Sequence, residues 1–220
     1  KEPDHVKHYT YNKTPVYKSF YHSKGQAWMI QTPWVSLSHD ELVELKCPEK
    51  KYKLSVVDSG RRDLPGHHNR LVVLEDILKC ISDVHFFGYI TEGRQNTGPF
   101  KTTLPPRTKE AAFLDYKYAL VIENGRTPHY FSEKIIDPIL CWTTPVYWGC
   151  SNISKYFPKG SFIEIKDLNS GVGSQVASII ESQHHEDNMA ALAEARDLIL
   201  NKYNLIPTIE RSLVSDNLWE

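Results

Sequence analysis

Residues 116–167, YKYALVIENGRTPHYFSEKIIDPILCWTTPVYWGCSNISKYFPKGSFIEIKD, leave few folds open to this chain. Residues 118–122 form a short apolar run, as a strand buried on both faces should. Glu123, Asn124 and Gly125 end that run in a polar turn. Ser132 is placed as the N-cap of a helix carrying Ile135, Ile136, Ile139 and Leu140. Residues 145–148 read as the next strand, closed by Gly149, and residues 161–165 as a third. Strands joined by helical crossovers run parallel, because a parallel return needs a long connection. In such sheets ligands bind beyond the carboxyl ends of the strands. Glu123, Asn124, Arg126 and Tyr130 follow the first strand, and Glu133 and Lys134 open the helix after it. Free N–H groups at a helix start beside a lysine suit an anion. An ordinary solvated helix start has the same composition, so the spacing alone leaves both readings open.

The rest of the chain extends this pattern. Residues 1–25 alternate polar and aromatic residues, as an exposed hairpin would. Residues 28–37 have strand character broken by Pro33. Ser38 and Glu41 spell a capping box that opens a short helix, ended at Cys47-Pro48. Residues 54–57 begin the main α/β unit, a polar loop fills 58–69, and residues 70–82 have helical spacing through Leu71, Leu74, Ile77, Leu78 and Ile81. Residues 84–87 form a second strand. The Gly-, Thr- and Pro-rich segment 88–106 is long for a loop in a compact domain, which suggests function or mobility. A short helix over 109–115 leads into the organising stretch. After it come a helix around Val176, Ile179 and Ile180, a strongly helical run over 187–203, a break at Pro207 and a last helix to about residue 217. The expected fold class is α/β, a doubly wound, Rossmann-like parallel sheet of five strands.

Composition excludes several functions. The net charge is −1, which gives no field for nucleic acid. No apolar run approaches the ~20 residues that span a bilayer, and the polar start KEPDHVKHYTYNKTP is no signal peptide. Cys47, Cys80, Cys141 and Cys150 form no C-x-x-C pair and read as reduced thiols, mostly buried. The pairs His67-His68 and His184-His185 lack zinc spacing, and the chain contains no Asp-x-Asp to hold a divalent metal.

A set of words in this stretch carries a resemblance: Glu123-Asn124 at a strand end, then Tyr130, the helix start Glu133-Lys134, the strand 144–149 (TPVYWG) and Ser161-Phe162-Ile163. They resemble the donor-binding half of the family 10 glycosyltransferases, the α-1,3/4-fucosyltransferases, densely over 116–167 and more thinly from Lys53. The resemblance implies the nucleotide-sugar half of a two-domain GT-B fold, with residues 1–50 as a reduced remnant of the acceptor domain and 51–220 as the donor domain. It implies GDP-fucose or a related GDP-sugar as donor, an acceptor glycan as partner, transfer with inversion, and no metal or other cofactor. Lys134 and Arg70 would hold the diphosphate, with Arg61 and Arg62 in the preceding loop competing for the role of Arg70. Asn124 and Tyr130 would contact the same diphosphate, Glu133 the ribose hydroxyls, and Glu123 would lie near the sugar as a catalytic residue. Glu123 also reads as an acidic strand end capping the next turn. Gly149 would let the backbone approach the ligand, or simply turn.

Two departures from the family pattern matter. Its proposed base, a glutamate in the acceptor domain, is matched faintly by Gln31, which cannot accept a proton. Asp40 or Glu41 would then serve, or the chain is a GDP-sugar-binding module that needs a partner. An unrelated flavodoxin-like domain is the third reading. The family's eukaryotic Golgi members carry paired cysteines that this chain lacks, which implies a cytoplasmic protein, free or peripheral to a membrane.

Overall fold

The computed structural model describes residues 36–58, 65–89, 102–104, 108–169, 171–204 and 207, and the backbone of 8–10 and 19–21. The short strands β1 (His8–Thr10) and β2 (Ser19–Tyr21) pair with His8 opposite Ser19 and Thr10 opposite Tyr21. That register is parallel, so these strands do not form the hairpin expected over 1–25; hairpin registers run in opposite directions. Helix α1 (His39–Glu44) begins at the expected capping box. Ser38 Oγ accepts from the Glu41 amide at 3.3 Å, and the Ser38 amide donates to Glu41 Oε2 at 2.7 Å. Leu42 then inserts fully into the core.

Among the described residues the main sheet has six strands, all parallel, and contains the five expected ones. In chain order they are β3 (Tyr52–Val57), β4 (Val84–Tyr89), β5 (Thr102–Leu104), β6 (Tyr116–Ile122), β7 (Thr144–Trp148) and β8 (Ile163–Glu164). The spatial order is β5-β4-β3-β6-β7-β8. The sixth strand, β5, is a three-residue edge within the segment read as a loop. Chain order runs outward from β3 on one side and from β6 on the other. The junction of β3 and β6 is therefore the topological switch point, where a crevice opens at the carboxyl ends.

Apolar layers cover both faces of the sheet. One face packs Leu54, Val56, Tyr118, Leu120 and Val146 against Val73, Leu74 and Ile77 of α2 (Pro65–Cys80). The same layer takes in Val172 and Val176 of a later helix on that face. The other face packs Ala119, Val121 and Tyr147 against Ile135, Ile136 and Ile139 of α3 (Glu133–Leu140), with the 3-10 turn Lys109–Ala112 alongside. Helix α4 (Val172–Ile180) lies close on α2, where the Asp76 carboxylate accepts from the Gly173 amide at 2.8 Å. A Cβ on Gly173 would stand 2.5 Å from the Asp76 carbonyl oxygen, so only glycine permits this approach.

Two expected helices differ from the structure. Helix α2 starts at Pro65 rather than at residue 70; proline suits the first helical position, where its missing N–H costs nothing. The helical run over 187–203 divides into α5 (His184–Asp187), α6 (Met189–Leu198) and a π-helical turn, Ile199–Tyr203. The break falls at Asn188, whose side-chain amide donates to the His184 carbonyl at 2.9 Å, a local bond that competes with the helix ladder. Residues 28–35 and the last helix toward residue 217 lie outside the described residues.

Candidate donor-binding site

The switch point brings together residues from two strand ends and two helices. Asp58 follows β3, and Glu123 and Asn124 follow β6. Arg70 reaches this point from the second turn of α2. Its Nη1 donates to Asp58 Oδ1 at 3.1 Å, and its Nη2 donates to the Ile122 carbonyl at 3.1 Å and Asn124 Oδ1 at 3.0 Å. Arg70 is 6% exposed and Asp58 1%. Arg70 is thus a buried tie across the β3/β6 junction, not the helix-opening residue expected, because the helix begins five residues earlier. Its Nε is buried without a hydrogen-bond partner among the described residues.

The second cation stands at the start of α3. Ser132 caps the helix as expected, its Oγ accepting from the Lys134 amide at 3.4 Å. Lys134 Nζ lies 3.4 Å from Glu123 Oε2 and 3.6 Å from Glu133 Oε1, with its side chain 25% exposed. Glu123 itself is fully buried. It accepts from the Ser132 amide at 2.8 Å and from Ser132 Oγ at 2.7 Å and 2.9 Å, to one oxygen each. These contacts make it the cap of the 124–132 loop, the structural alternative read from the sequence. Gly149, also buried, faces it: a Cβ there would overlap Glu123 Cγ and the Tyr147 hydroxyl. Gly149 therefore makes room for buried side chains. Asn124 is exposed and Tyr130 partly exposed, in the loop beside these groups.

Glu133 is partly exposed at the helix mouth. Burial works against its ionisation, but the charges of Lys134 and Lys109 outweigh it and hold the carboxyl below its usual range. One turn further in, Asp137 is 1% exposed and accepts from Lys109 Nζ at 2.6 Å. Burial pushes the Asp137 carboxyl up, against the pull of Lys109. This ion pair was not foreseen. Its signal was present: Asp137 lies four residues after Glu133 within a helix of Ile and Leu, and a carboxylate there needs a buried cation.

Other expectations fall elsewhere. Arg126 pairs with Glu164 of β8 at 2.9 Å. Gln31, Arg61 and Arg62 lie outside the described residues, as do the side chains of His67 and His68. His184 bonds the Gly160 carbonyl at 3.0 Å and His185 bonds Thr144 Oγ1 at 2.9 Å, so both have structural partners. Among the described residues no group of three or more His, Cys, Asp or Glu side chains is placed to hold a metal ion. No described helix is long and apolar enough to cross a membrane.

Residues 50–189 match the family model described as glycosyltransferase family 10 (fucosyltransferase) C-term. An α-(1,3)-fucosyltransferase, FucT, of Helicobacter pylori is 34% identical over 176 residues, covering 73% of this chain and 35% of the relative. An α-(1,4)-fucosyltransferase of Arabidopsis thaliana is 29% identical over 160 residues, covering 66% of this chain and 37% of the relative. The match thus spans little more than a third of each of these relatives. Among solved structures, Anabaena Alr3699/HepE in complex with UDP-glucose superposes with a TM-score of 0.52 at 12% identity. That alignment covers 77% of this chain and 49% of the other, and speaks for the fold alone.

Proposed function

This chain belongs to glycosyltransferase family 10, the fucosyltransferases, and from that premise we propose that it binds GDP-fucose, or a related GDP-sugar, at the β3/β6 switch point and transfers the sugar to an acceptor glycan. The observation that carries the reading is the convergence of Arg70 and Lys134 on the ends of these two adjacent strands. A leaving diphosphate needs fixed positive charge as it departs. Here that charge is supplied by side chains, Arg70 from α2 and Lys134 from the N-terminal turn of α3, where the helix dipole adds to it. Donor binding draws Lys134 from its carboxylates to the diphosphate, Asn124 and Tyr130 contact the same group, and Glu133 accepts from the ribose hydroxyls. Glu123 acts as a positioning residue, because its two oxygens are taken by Ser132 and Lys134. The acceptor hydroxyl attacks C1 in line with the leaving diphosphate, which inverts that centre, and no metal is required. The four free thiols suit a reducing, cytoplasmic setting.

A second reading keeps the donor site and drops the turnover. In the family the base belongs to the acceptor domain, and its faint match here is Gln31, so the chain alone is a donor-binding module that acts with a partner. Calorimetry with GDP, in buffer with EDTA, tests the site: binding that survives chelation supports it, and binding restored only by Mn²⁺ or Mg²⁺ refutes the metal-free reading. A GDP-fucose consumption assay with glycan acceptors then separates the two. A positioned carboxylate contributes about 10²–10⁴-fold, so Gln31→Glu raises turnover if Gln31 holds the position of the base.

A further inference from the structure

The mouth of α3 carries an alternating series of charges: Glu123, Lys134, Glu133, Lys109 and Asp137. Lys134 lies 3.4 Å from Glu123 and 3.6 Å from Glu133. Lys109 lies 2.6 Å from Asp137. Glu133 and Asp137 are four residues apart on one helix, so they share a face, where two like charges repel. Lys109 comes from a different element, the turn before β6, and enters beside this acidic face. It is 5% exposed and Asp137 1%, whereas Lys134 is 25% exposed. The inner cation is sealed in place and the outer one is open to a ligand. Among the described residues Asp137 Oδ1 is buried with no hydrogen-bond partner, and Asp137 Oδ2 is held by Lys109.

We propose that Lys109, anchored by Asp137, is a positioning residue that keeps Glu133 ionised and in place as an acceptor of ribose hydroxyls once the donor diphosphate has taken Lys134. This rests on the donor-site reading above. On binding, Glu133 loses the Lys134 ammonium, 3.6 Å away, to the ligand and gains a diphosphate as an anionic neighbour. Both changes favour its protonated form, which accepts hydrogen bonds poorly. A buried lysine that no ligand can reach opposes them. Lys109 and Asp137 touch neither substrate nor reacting atoms, and act through Glu133.

The pair is removed as a unit in the full chain with Lys109→Met/Asp137→Leu, since replacing a buried ion pair by apolar residues is often neutral for stability. Lys109→Arg serves as the conservative control, and thermal melting confirms that each variant folds. Calorimetry compares GDP with 2′,3′-dideoxy-GDP. The parent prefers GDP by about tenfold, as expected when a carboxylate loses its hydroxyl partners. In the double variant that preference falls to about twofold or less, because Glu133 loses the buried pair beneath it. Lys109→Arg retains the preference. A folded double variant with the parent's preference overturns the role of Lys109 while leaving the donor site intact. A parent that binds neither nucleotide overturns the donor-site reading and this role with it. The two failures are told apart by the parent alone.

Discussion

The two ends of the central strands bury cations in opposite ways. At the amino ends, Lys50 Nζ donates to the Leu114 and Cys141 carbonyls, both at 2.9 Å, and to Thr143 Oγ1 at 3.2 Å. Its partners are neutral, and burial lowers its pKa to about 8. At the carboxyl ends, Arg70 and Lys134 face the carboxylates of Asp58, Glu123 and Glu133. A cation bound by carbonyls closes a corner of the fold, because those oxygens have nowhere else to turn. A cation held by carboxylates at a crevice can exchange one anion for another, and a diphosphate is such an anion. By this contrast the amino end is structural, and the carboxyl end is where the proposed ligand site lies.

Substitutions at both ends test the contrast. The largest effect is expected for Arg70→Ala, which removes the buried cation that pairs with Asp58 and ties β3 to β6. Urea unfolding should show a loss of about 3–5 kcal/mol, and the folded fraction should lose GDP binding as well. Lys50→Met comes next: its orphaned acceptors should cost about 2–4 kcal/mol, while GDP affinity measured on the folded protein stays at the parent value. A Lys50→Met protein that folds normally but binds GDP poorly would break the division between the two ends.

Acid sharpens the same comparison. His185 is 4% exposed, between Thr144 Oγ1 and the Tyr118 hydroxyl, and burial lowers its pKa from 6.5 to about 4. The unfolded chain therefore takes up a proton at a pH where the folded one does not. Stability from this group is complete above about pH 6.5 and is lost as pH falls toward 4, by up to about 3 kcal/mol. Unfolding midpoints for the parent and His185→Gln between pH 7 and 4 measure it, and a parallel decline in both would remove His185 as the cause. Lys134→Ala has the smallest effect on stability, under about 1 kcal/mol, because the pair is partly exposed and Ser132 still serves Glu123. Its GDP affinity should nonetheless fall at least tenfold, as for a phosphate stripped of its cation. Unchanged affinity would remove Lys134 from the site.

Local chemistry made much of this legible in advance. The apolar run 118–122, the capping box at Ser38 and Glu41, and the N-cap at Ser132 each rest on interactions within a few residues, and each is present in the fold. So is the parallel sheet, since crossovers long enough to hold a helix dictate strand direction. Residues 123–134 could be placed at a strand end for the same reason. Edge strand β5 was missed because a three-residue strand is stabilised by its neighbour β4 rather than by its own pattern.

The partners of each charged side chain were a different matter. The sequence alone determined that Arg70, Glu123, Glu133 and Lys134 belong at the carboxyl ends of parallel strands. Only the tertiary structure decided that Arg70 is tied to Asp58 and Ile122 across the switch point, that Glu123 turns inward to cap Ser132, and that Lys109 meets Asp137 beneath the mouth of α3. Spacing along a chain sets the direction of strands and helices, whereas a buried charge takes whichever partner the packing of separate elements brings within hydrogen-bond reach. For Lys109 and Asp137 that partner lies 28 residues away.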